Sequence, residues 1–502
     1  RLCVYNGGFL TQPRLRRILA LSGYRVSLGL PRDGDCVGVW GQSPTAHRGE
    51  AIAAKYGAPI VRIEDAFWRS LHPGRAGKSP PLGLMIDRKT VHFDPEVPSE
   101  LEVLLATHPL DDTALLNRAR GLIARMQEAH LTKYSAIDAD IAAPPAGYVL
   151  VIDQTYGDAA VKASGADRNR FLEMLFVAQE ENPGARIVIK THPETAKGLR
   201  EGYFEGVEPS KTVSFIDTPI SPWRLFEGAI GVYTVSSQMG FEAIFTGHKP
   251  RVFGQPFYAG WGLTVDEFPV QRRQRTLTRA QFFAASMLLY PKWYDAFEDR
   301  LATAEEAAEA LIAQTRAWTE DHRGWVASGM RLWKRGPLQK IYGQHKRMIF
   351  QDDPAKARQA DRPWMVWAGK AEVGHHDAVR VEDGFIRSRG LGAELVPPLS
   401  LVTDDIGIYY DPSRPSRLEK LIEMRGEMRL DQITRADALI QSLSSQGISK
   451  YNLGGAEVQL PKGERVLVVG QVEDDASIRL GAGEISTNRA LLENARAAHP
   501  DA

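Results

Sequence analysis

The chain has little cysteine, no excess charge of either sign and no long apolar run. Only Cys3 and Cys36 occur in 502 residues, which excludes a disulfide framework. Both thiols read as small packing groups. Basic and acidic residues number 62 each, a formal net charge of +0, which argues against a dedicated nucleic-acid binder. No apolar stretch approaches the roughly 20 residues that span a bilayer, and no secretory leader is visible. The twelve histidines lack helical i, i+4 ligand spacing, so no metal site is expected. A P-loop and a Gly-X-Gly-X-X-Gly fingerprint are missing as well. What remains is an ordinary globular balance, 43% apolar and 25% charged, in a chain too long for one core.

What is present is a repeat. Lys133-Tyr134 recurs as Lys450-Tyr451, an offset of 317 residues. Pro80-Pro81-Leu82, Asp87, Asp94, Gln154 and Asp158-Ala159 recur with the same offset as Pro397-Pro398-Leu399, Asp404, Asp411, Gln471 and Asp475-Ala476. Arg62-Ile-Glu-Asp-Ala-Phe67 and Arg380-Val-Glu-Asp-Gly-Phe385 are one residue out of step. An offset held across unrelated residue types indicates two modules of common descent. Ala502 aligns with Ala185, so Arg186–Glu194 and the later half of that domain are expected to act in the first module alone. Both ends look like cuts in a longer protein.

Short apolar runs alternate with helical patterns. Leu2–Tyr5, Arg25–Leu28, Cys36–Trp40 and Pro59–Ile63 read as strands, and Pro13–Ser22 and His47–Gly57 as helices. The rhythm restarts at Gly147–Ile152 and continues through Ala185–Lys190, Thr212–Ile216, Ala229–Val235 and Lys249–Phe253, with a helix at Arg168–Glu181. Strands alternating with crossover helices predict parallel sheets. The fold class is α/β: two tandem Rossmann-like, doubly wound domains with a cleft between them, then a partial second copy. The expected domains are 1–146, 147–322, 323–463 and the opening of a fourth at 464–502. Thr278–Gln314 is predicted largely helical. Basic Trp325–Phe350 could lie on an anionic membrane, but its alignment with Gly7–Ala20 favours the opening strand and helix of the second copy.

Several residues at predicted strand ends carry polar chemistry. Lys190-Thr-His-Pro193 follows a strand, where imidazole and ammonium could meet phosphate or ribose; a loop with an internally satisfied histidine is the plain alternative. Tyr233-Thr-Val-Ser-Ser-Gln-Met-Gly240 is a strand end, two hydroxyls and a helix start. Ser236 or Ser237 caps that helix, and the same geometry aims backbone N–H groups at an anion. Together the two motifs read as a nucleotide-phosphate site. Gly254-Gln-Pro-Phe-Tyr-Ala-Gly-Trp-Gly262 suits close approach to a flat ligand, or a buried structural loop. Gln154…Asp158 begins at the cleft edge, where a carboxylate can be base, nucleophile or cap. Glu64-Asp65 and its copy Glu382-Asp383 end the fourth strand on the opposite wall. Acidic groups facing each other across a sugar-sized gap are the equipment of glycosyl chemistry. Lys133-Tyr134 lies at the interdomain crossover, where the ammonium could pair with a substrate carboxylate.

His192-Pro193 with Ser236-Ser237 resembles the cytidine-monophosphate-sugar signature of sialyl- and Kdo-transferases of the two-Rossmann, GT-B-like architecture. With Glu64-Asp65-Ala-Phe67, Gln154…Asp158-Ala159, Lys190–Glu194, Val235–Ala243 and Gly254–Thr264, the chain resembles the KpsC family of capsular polysaccharide β-Kdo glycosyltransferases. The resemblance covers the first module and the front half of the second. It implies a retaining enzyme that moves Kdo from CMP-β-Kdo to a Kdo-bearing (lyso)phosphatidylglycerol, with a β2,4 linkage. It implies Asp158 as nucleophile, with Glu64 or Asp65 activating the acceptor. Gln154, Lys133, Tyr134, Lys190 and Trp261 are implied to bind the sugar. His192, Pro193, Ser236, Ser237, Gln238, Pro256 and Phe257 are implied to bind the nucleotide. No cofactor or metal is implied. The implied setting is cytoplasmic and peripheral at the inner membrane, with capsule-assembly partners and no nucleic acid. The second copy keeps Glu382-Asp383, Lys450-Tyr451 and Asp475 without counterparts of His192 or Ser236, and is expected to be inactive. A sugar-nucleotide epimerase or hydrolase on the same scaffold, and a non-catalytic capsule-assembly scaffold, are the alternatives.

Overall fold

The computed structural model describes residues 1–74, 79–138, 140–424, 426–455 and 459–502. Two compact units result, Arg1–Thr319 and Glu320–Ala502. The first holds two sheets. In one, β1 (Leu2–Val4), β2 (Val26–Ser27), β3 (Cys36–Trp40) and β4 (Ile60–Asp65) run parallel, and β5 (Gly83–Asp87) lies antiparallel to β4. The other sheet is wholly parallel: β6 (Tyr148–Ile152), β7 (Arg186–Lys190), β8 (Val213–Ile216), β9 (Ala229–Thr234), β10 (Arg251–Val252) and β11 (Val265–Asp266). Its order is β11-β10-β9-β6-β7-β8, so the chain turns outward in both directions from β6. Such a switch point opens a crevice at the strands' carboxyl ends.

The predicted strands and the Arg168–Glu181 helix are present. Their cause is legible locally. Asp167 caps that helix by accepting from Arg170 N, and Phe171, Met174, Leu175 and Ala178 form its buried stripe. Thr278–Gln314 differs from expectation. Helix Arg279–Phe283 and the wider turns of Ala284–Leu289 give way to β12 (Lys292–Asp295) and β13 (Arg300–Ala302), before helix Ala304–Asp321. β12 adds antiparallel to β5 and β13 to β12, so 292–302 belong to the first sheet and not to a second domain ending at 322. The reason is burial. Trp293 and Tyr294, both good strand formers, are inserted into the core, and the Trp293 indole N–H donates to Met287 O.

The second unit repeats the first sheet. β14 (Val326–Ser328), β15 (Ile349–Phe350), β16 (Trp364–Trp367), β17 (Val379–Asp383) and β18 (Leu401–Asp404) take the order β15-β14-β16-β17-β18. The first unit's corresponding strands follow β2-β1-β3-β4-β5, again with the last antiparallel. The basic 325–350 segment is strand and helix, as its alignment favoured, and Lys334 Nζ lies 2.9 Å from the Trp367 ring centroid. His375 is buried against Trp364, and its Nδ1 accepts from Glu372 N. The counterpart of β6, residues 465–469, pairs with no strand among the described residues, and Leu467 and Val469 are exposed.

Asp87 shows why repeated acids persist in loops. Buried at the end of β5, it accepts from Lys89 N, Thr90 N, Glu100 N and Tyr290 Oη at 2.8–3.1 Å. Asp404 likewise accepts from Ile406 N, Gly407 N and Arg417 N. Asp87→Ala orphans several buried donors and is expected to cost about 3 kcal/mol in urea unfolding. A loss under about 0.5 kcal/mol contradicts this account.

Candidate active site

A cleft of about 530 Å³ lies within the first unit, where the ends of β4, β6, β7 and β9 converge. All but one of the sequence-predicted site residues line it. On the wall from the second sheet, His192 caps the short helix Pro193–Ala196, its Nδ1 accepting from Glu194 N at 3.1 Å. That acceptor role places the ring proton on Nε2. Burial first, then the positive charge of Lys133, lowers its pKa to about 3. His192 is therefore a neutral donor at physiological pH. Ser237 caps helix Gln238–Phe245 through Met239 N. Ser236 is fixed by Gln154, whose Oε1 accepts from Ser236 N at 2.9 Å while Nε2 donates to Ser236 Oγ at 3.1 Å. The Gln154 amide is thus committed to shaping this wall. Lys190 is 6% exposed and donates to Thr218 O at 3.0 Å and Thr191 O at 3.3 Å. Burial lowers its pKa to about 8, which leaves it largely charged at neutrality.

The glycine-rich loop contributes less than its composition promised. Pro256 and Phe257 line the cleft, and Phe257 stacks on Phe67 of the opposite wall at 4.6 Å. Trp261 does not reach it. The indole is fully buried in the core and donates to Phe257 O. Gly260 lets the loop turn back (φ +89°), where a Cβ would meet Arg273 at 2.8 Å, and so carries Trp261 inward. Gln238, expected at the nucleotide, donates across the cleft to Phe67 O at 2.7 Å.

The other wall carries the acids. Asp65 Oδ2 pairs with Arg69 Nε at 2.7 Å. Glu64 has no such cation among the described residues. Burial, then the neighbouring charge of Asp65, raises its pKa to about 8, with Lys133 opposing. Gly41 gives the carboxylate room, since a Cβ there would lie 2.1 Å from Glu64 Oε2. Lys133 Nζ sits 5.6 Å from the Tyr134 ring centroid. Its pKa is raised, first by Tyr134 and also by Asp158, Asp65 and Glu64, against the effect of burial. Asp158 caps helix Ala159–Ala163, Oδ1 accepting from Ala160 N and Val161 N. Its Oδ2 makes no hydrogen bond among the described residues.

Glu242, Asp153 and His92 are among the lining residues not singled out by sequence. Glu242 accepts from Thr132 Oγ1 at 2.6 Å and Lys133 N at 3.3 Å, and burial raises its pKa to about 7. A lone acid between Phe241 and Ala243 in an apolar helix was the available signal. Asp153 accepts from Gln154 N and Tyr203 N, and burial raises it to about 6. His92, in the loop after β5, carried no signal. The second unit repeats the acidic wall: Asp383 Oδ2 meets Arg387 Nε at 2.8 Å, and Lys450 O accepts from Arg387 N and Ser388 N as Lys133 O does from Arg69 N and Ser70 N. Asp475 caps helix Ala476–Gly481 as Asp158 caps its own.

Comparison with known proteins agrees with the repeat. A family model described as capsule polysaccharide biosynthesis protein matches residues 35–135, 111–292 and 360–457. The capsule polysaccharide modification protein LipA of Neisseria meningitidis serogroup B is 35% identical over 99% of this chain and 75% of its own. The lipopolysaccharide-processing protein LpsZ of Rhizobium meliloti is 34% identical over 48% of this chain and 56% of its own. Among solved structures, Thermosulfurimonas dismutans KpsC, beta Kdo 2,4 transferase, is 33% identical with a TM-score of 0.57, covering 62% of this chain and 98% of that one.

The raised Glu64 pKa has a consequence for stability. Unfolded glutamate releases its proton near pH 4.3, but the folded chain holds it to about pH 8. Between those values the native state binds the extra proton, so stability falls as pH rises. Glu64→Gln removes that loss. The variant is expected to gain on the wild type by about 3 to 4 kcal/mol from pH 5 to pH 8 in urea unfolding. A pH-independent difference contradicts the assignment.

Proposed function

Because the chain belongs to the KpsC family of capsule polysaccharide biosynthesis proteins, we propose that its first unit is a retaining β-Kdo glycosyltransferase. The donor is CMP-β-Kdo, and the acceptor is a Kdo-bearing (lyso)phosphatidylglycerol on which a Kdo linker grows. The similarity to T. dismutans KpsC, a beta Kdo 2,4 transferase, supports Kdo as the sugar and a β2,4 linkage. The observation that carries the chemistry is Asp158, with one oxygen held by a helix N-terminus and the other uncommitted at the cleft that also holds Glu64.

Asp158 Oδ2 attacks the anomeric carbon of Kdo, the bond from that carbon to the phosphate oxygen breaks, and CMP leaves with the electron pair. His192 Nε2–H, the Ser236 and Ser237 hydroxyls and the helix start behind them meet the phosphate's growing charge. Lys133 pairs with the Kdo carboxylate. The acceptor hydroxyl then attacks the same carbon and expels the Asp158 carboxylate, while Glu64 takes the hydroxyl proton in its ionised fraction, which grows as pH approaches 8. Two inversions retain the β configuration. Asp65, neutralised by Arg69, positions the wall. No metal or cofactor enters these steps. Among the described residues no helix is long and apolar enough to cross a membrane. Contact with the inner membrane and with capsule-assembly proteins is taken as peripheral.

The test is transfer from CMP-β-Kdo to a synthetic Kdo-terminated acceptor, with product anomers read by NMR. The wild type is expected to form a β product, in EDTA as in buffer, and Asp158→Ala to lose about 10³-fold or more in rate. Free Kdo or an epimer as the sole product with acceptor present overturns the proposal. Loss of all transfer in EDTA overturns its metal-free form.

A further inference from the structure

His92 is a polar side chain in an aromatic cage. Its ring meets Phe67, Phe93 and Phe257 edge-on, at centroid distances of 5.3, 5.1 and 5.4 Å and interplanar angles of 77–86°. Nδ1 is buried with no hydrogen-bond partner, yet the residue keeps some exposed surface and lines the cleft. Burial, and then the charge of Lys133, holds the ring neutral, with a pKa lowered to about 3. An unpaired buried polar atom costs about 1–3 kcal/mol. Phenylalanine or leucine would fill such a cage without that cost, so the imidazole is not explained by packing.

The repeat shows which way this position faces. Asp87 and Asp94 keep the 317-residue offset to Asp404 and Asp411, so His92 corresponds to Tyr409. In the second unit the Tyr409 hydroxyl donates to Asp383 O, the main chain of the acidic pair. The first unit has no equivalent internal bond at His92 among the described residues. Its polar edge is therefore left to a ligand, on the wall that carries Glu64. Charge excludes some ligands. A neutral imidazole cannot ion-pair with a phosphate or carboxylate, but it can accept from or donate to a hydroxyl. Three aromatic walls suit the apolar face of a sugar ring.

We propose that His92 is a specificity-determining residue that hydrogen-bonds a hydroxyl of the acceptor sugar and holds that sugar against Glu64. The proposal rests on the transferase function proposed above. It adds a substrate-reading role to a residue that the two-step chemistry does not use.

The experiment compares wild type, His92→Phe and His92→Gln with CMP-β-Kdo and a Kdo-terminated acceptor. His92→Phe completes the cage and is expected to melt at or above the wild-type temperature. Its KM for acceptor is expected to rise about tenfold or more, with the KM for CMP-β-Kdo within twofold. His92→Gln, which restores a hydrogen-bonding group, is expected to recover part of the loss. An acceptor KM within twofold of wild type in folded His92→Phe overturns the proposal, as does an equal rise in donor KM. If His92→Phe does not fold, the wild-type protein with ¹⁵N-labelled histidine decides. Acceptor alone must shift the His92 ring resonance, assigned with His92→Gln, and absence of that shift overturns the proposal. A wild type that turns over no CMP-β-Kdo would instead remove the transferase reading itself.

Discussion

Adjacent carboxylates at the end of β4 repel one another, and burial strengthens that repulsion by stripping their water. The organisation of the cleft depends on how this is relieved. Arg69 neutralises Asp65 and also donates to Ser70 Oγ and Ser79 O, which ties the strand end to the loop after it. Ser70 N and Arg69 N in turn donate to Lys133 O, which fixes where the Lys133 ammonium can reach. Glu64, left without a direct cation, keeps its proton to about pH 8. One pair member becomes structural and the other becomes titratable near neutrality. The second unit builds the same arrangement from Asp383, Arg387 and Lys450, and burial raises Glu382 to about 7. Its recurrence in two diverged copies marks it as the feature that the fold preserves.

The opposite wall solves a different problem. In the proposed reaction a leaving phosphate needs donors that do not themselves compete for protons. His192 is neutral and oriented by its own helix, and the two serines sit where a helix begins. Gln154 locks Ser236 from the end of β6, and Gln238 spans to Phe67. Both walls also share one apolar cluster, in which Phe67 stacks on Phe241 and on Phe257. The donors are thus preorganised by packing that joins the two sheets.

Much of this was legible in the chain. Strand rhythm, the repeat and the strand-end motifs depend on local pattern, and local pattern survives in sequence. Helix Arg168–Glu181 could be read because its cap and stripe are contiguous. What was missed depends on distant partners. β12 forms because β5 offers a free edge more than two hundred residues earlier. Trp261 was placed in the site by the family resemblance, but a glycine turn carries it to the core. Glu242 matters through Thr132 and the Lys133 main chain, over a hundred residues away, so it does not stand out along the chain. The contrast between Glu64 and Asp65 rests on the Arg69 guanidinium, four residues along the chain, which pairs with Asp65.

The central claim is a covalent Kdo ester on Asp158. Its most direct test is intact-protein mass spectrometry after incubation with CMP-β-Kdo and no acceptor. The account predicts one added Kdo residue on the wild type, discharged when acceptor is supplied, and no adduct on Asp158→Ala. Continued transfer by Asp158→Ala would contradict it, and would point to a one-step displacement on the face that CMP leaves.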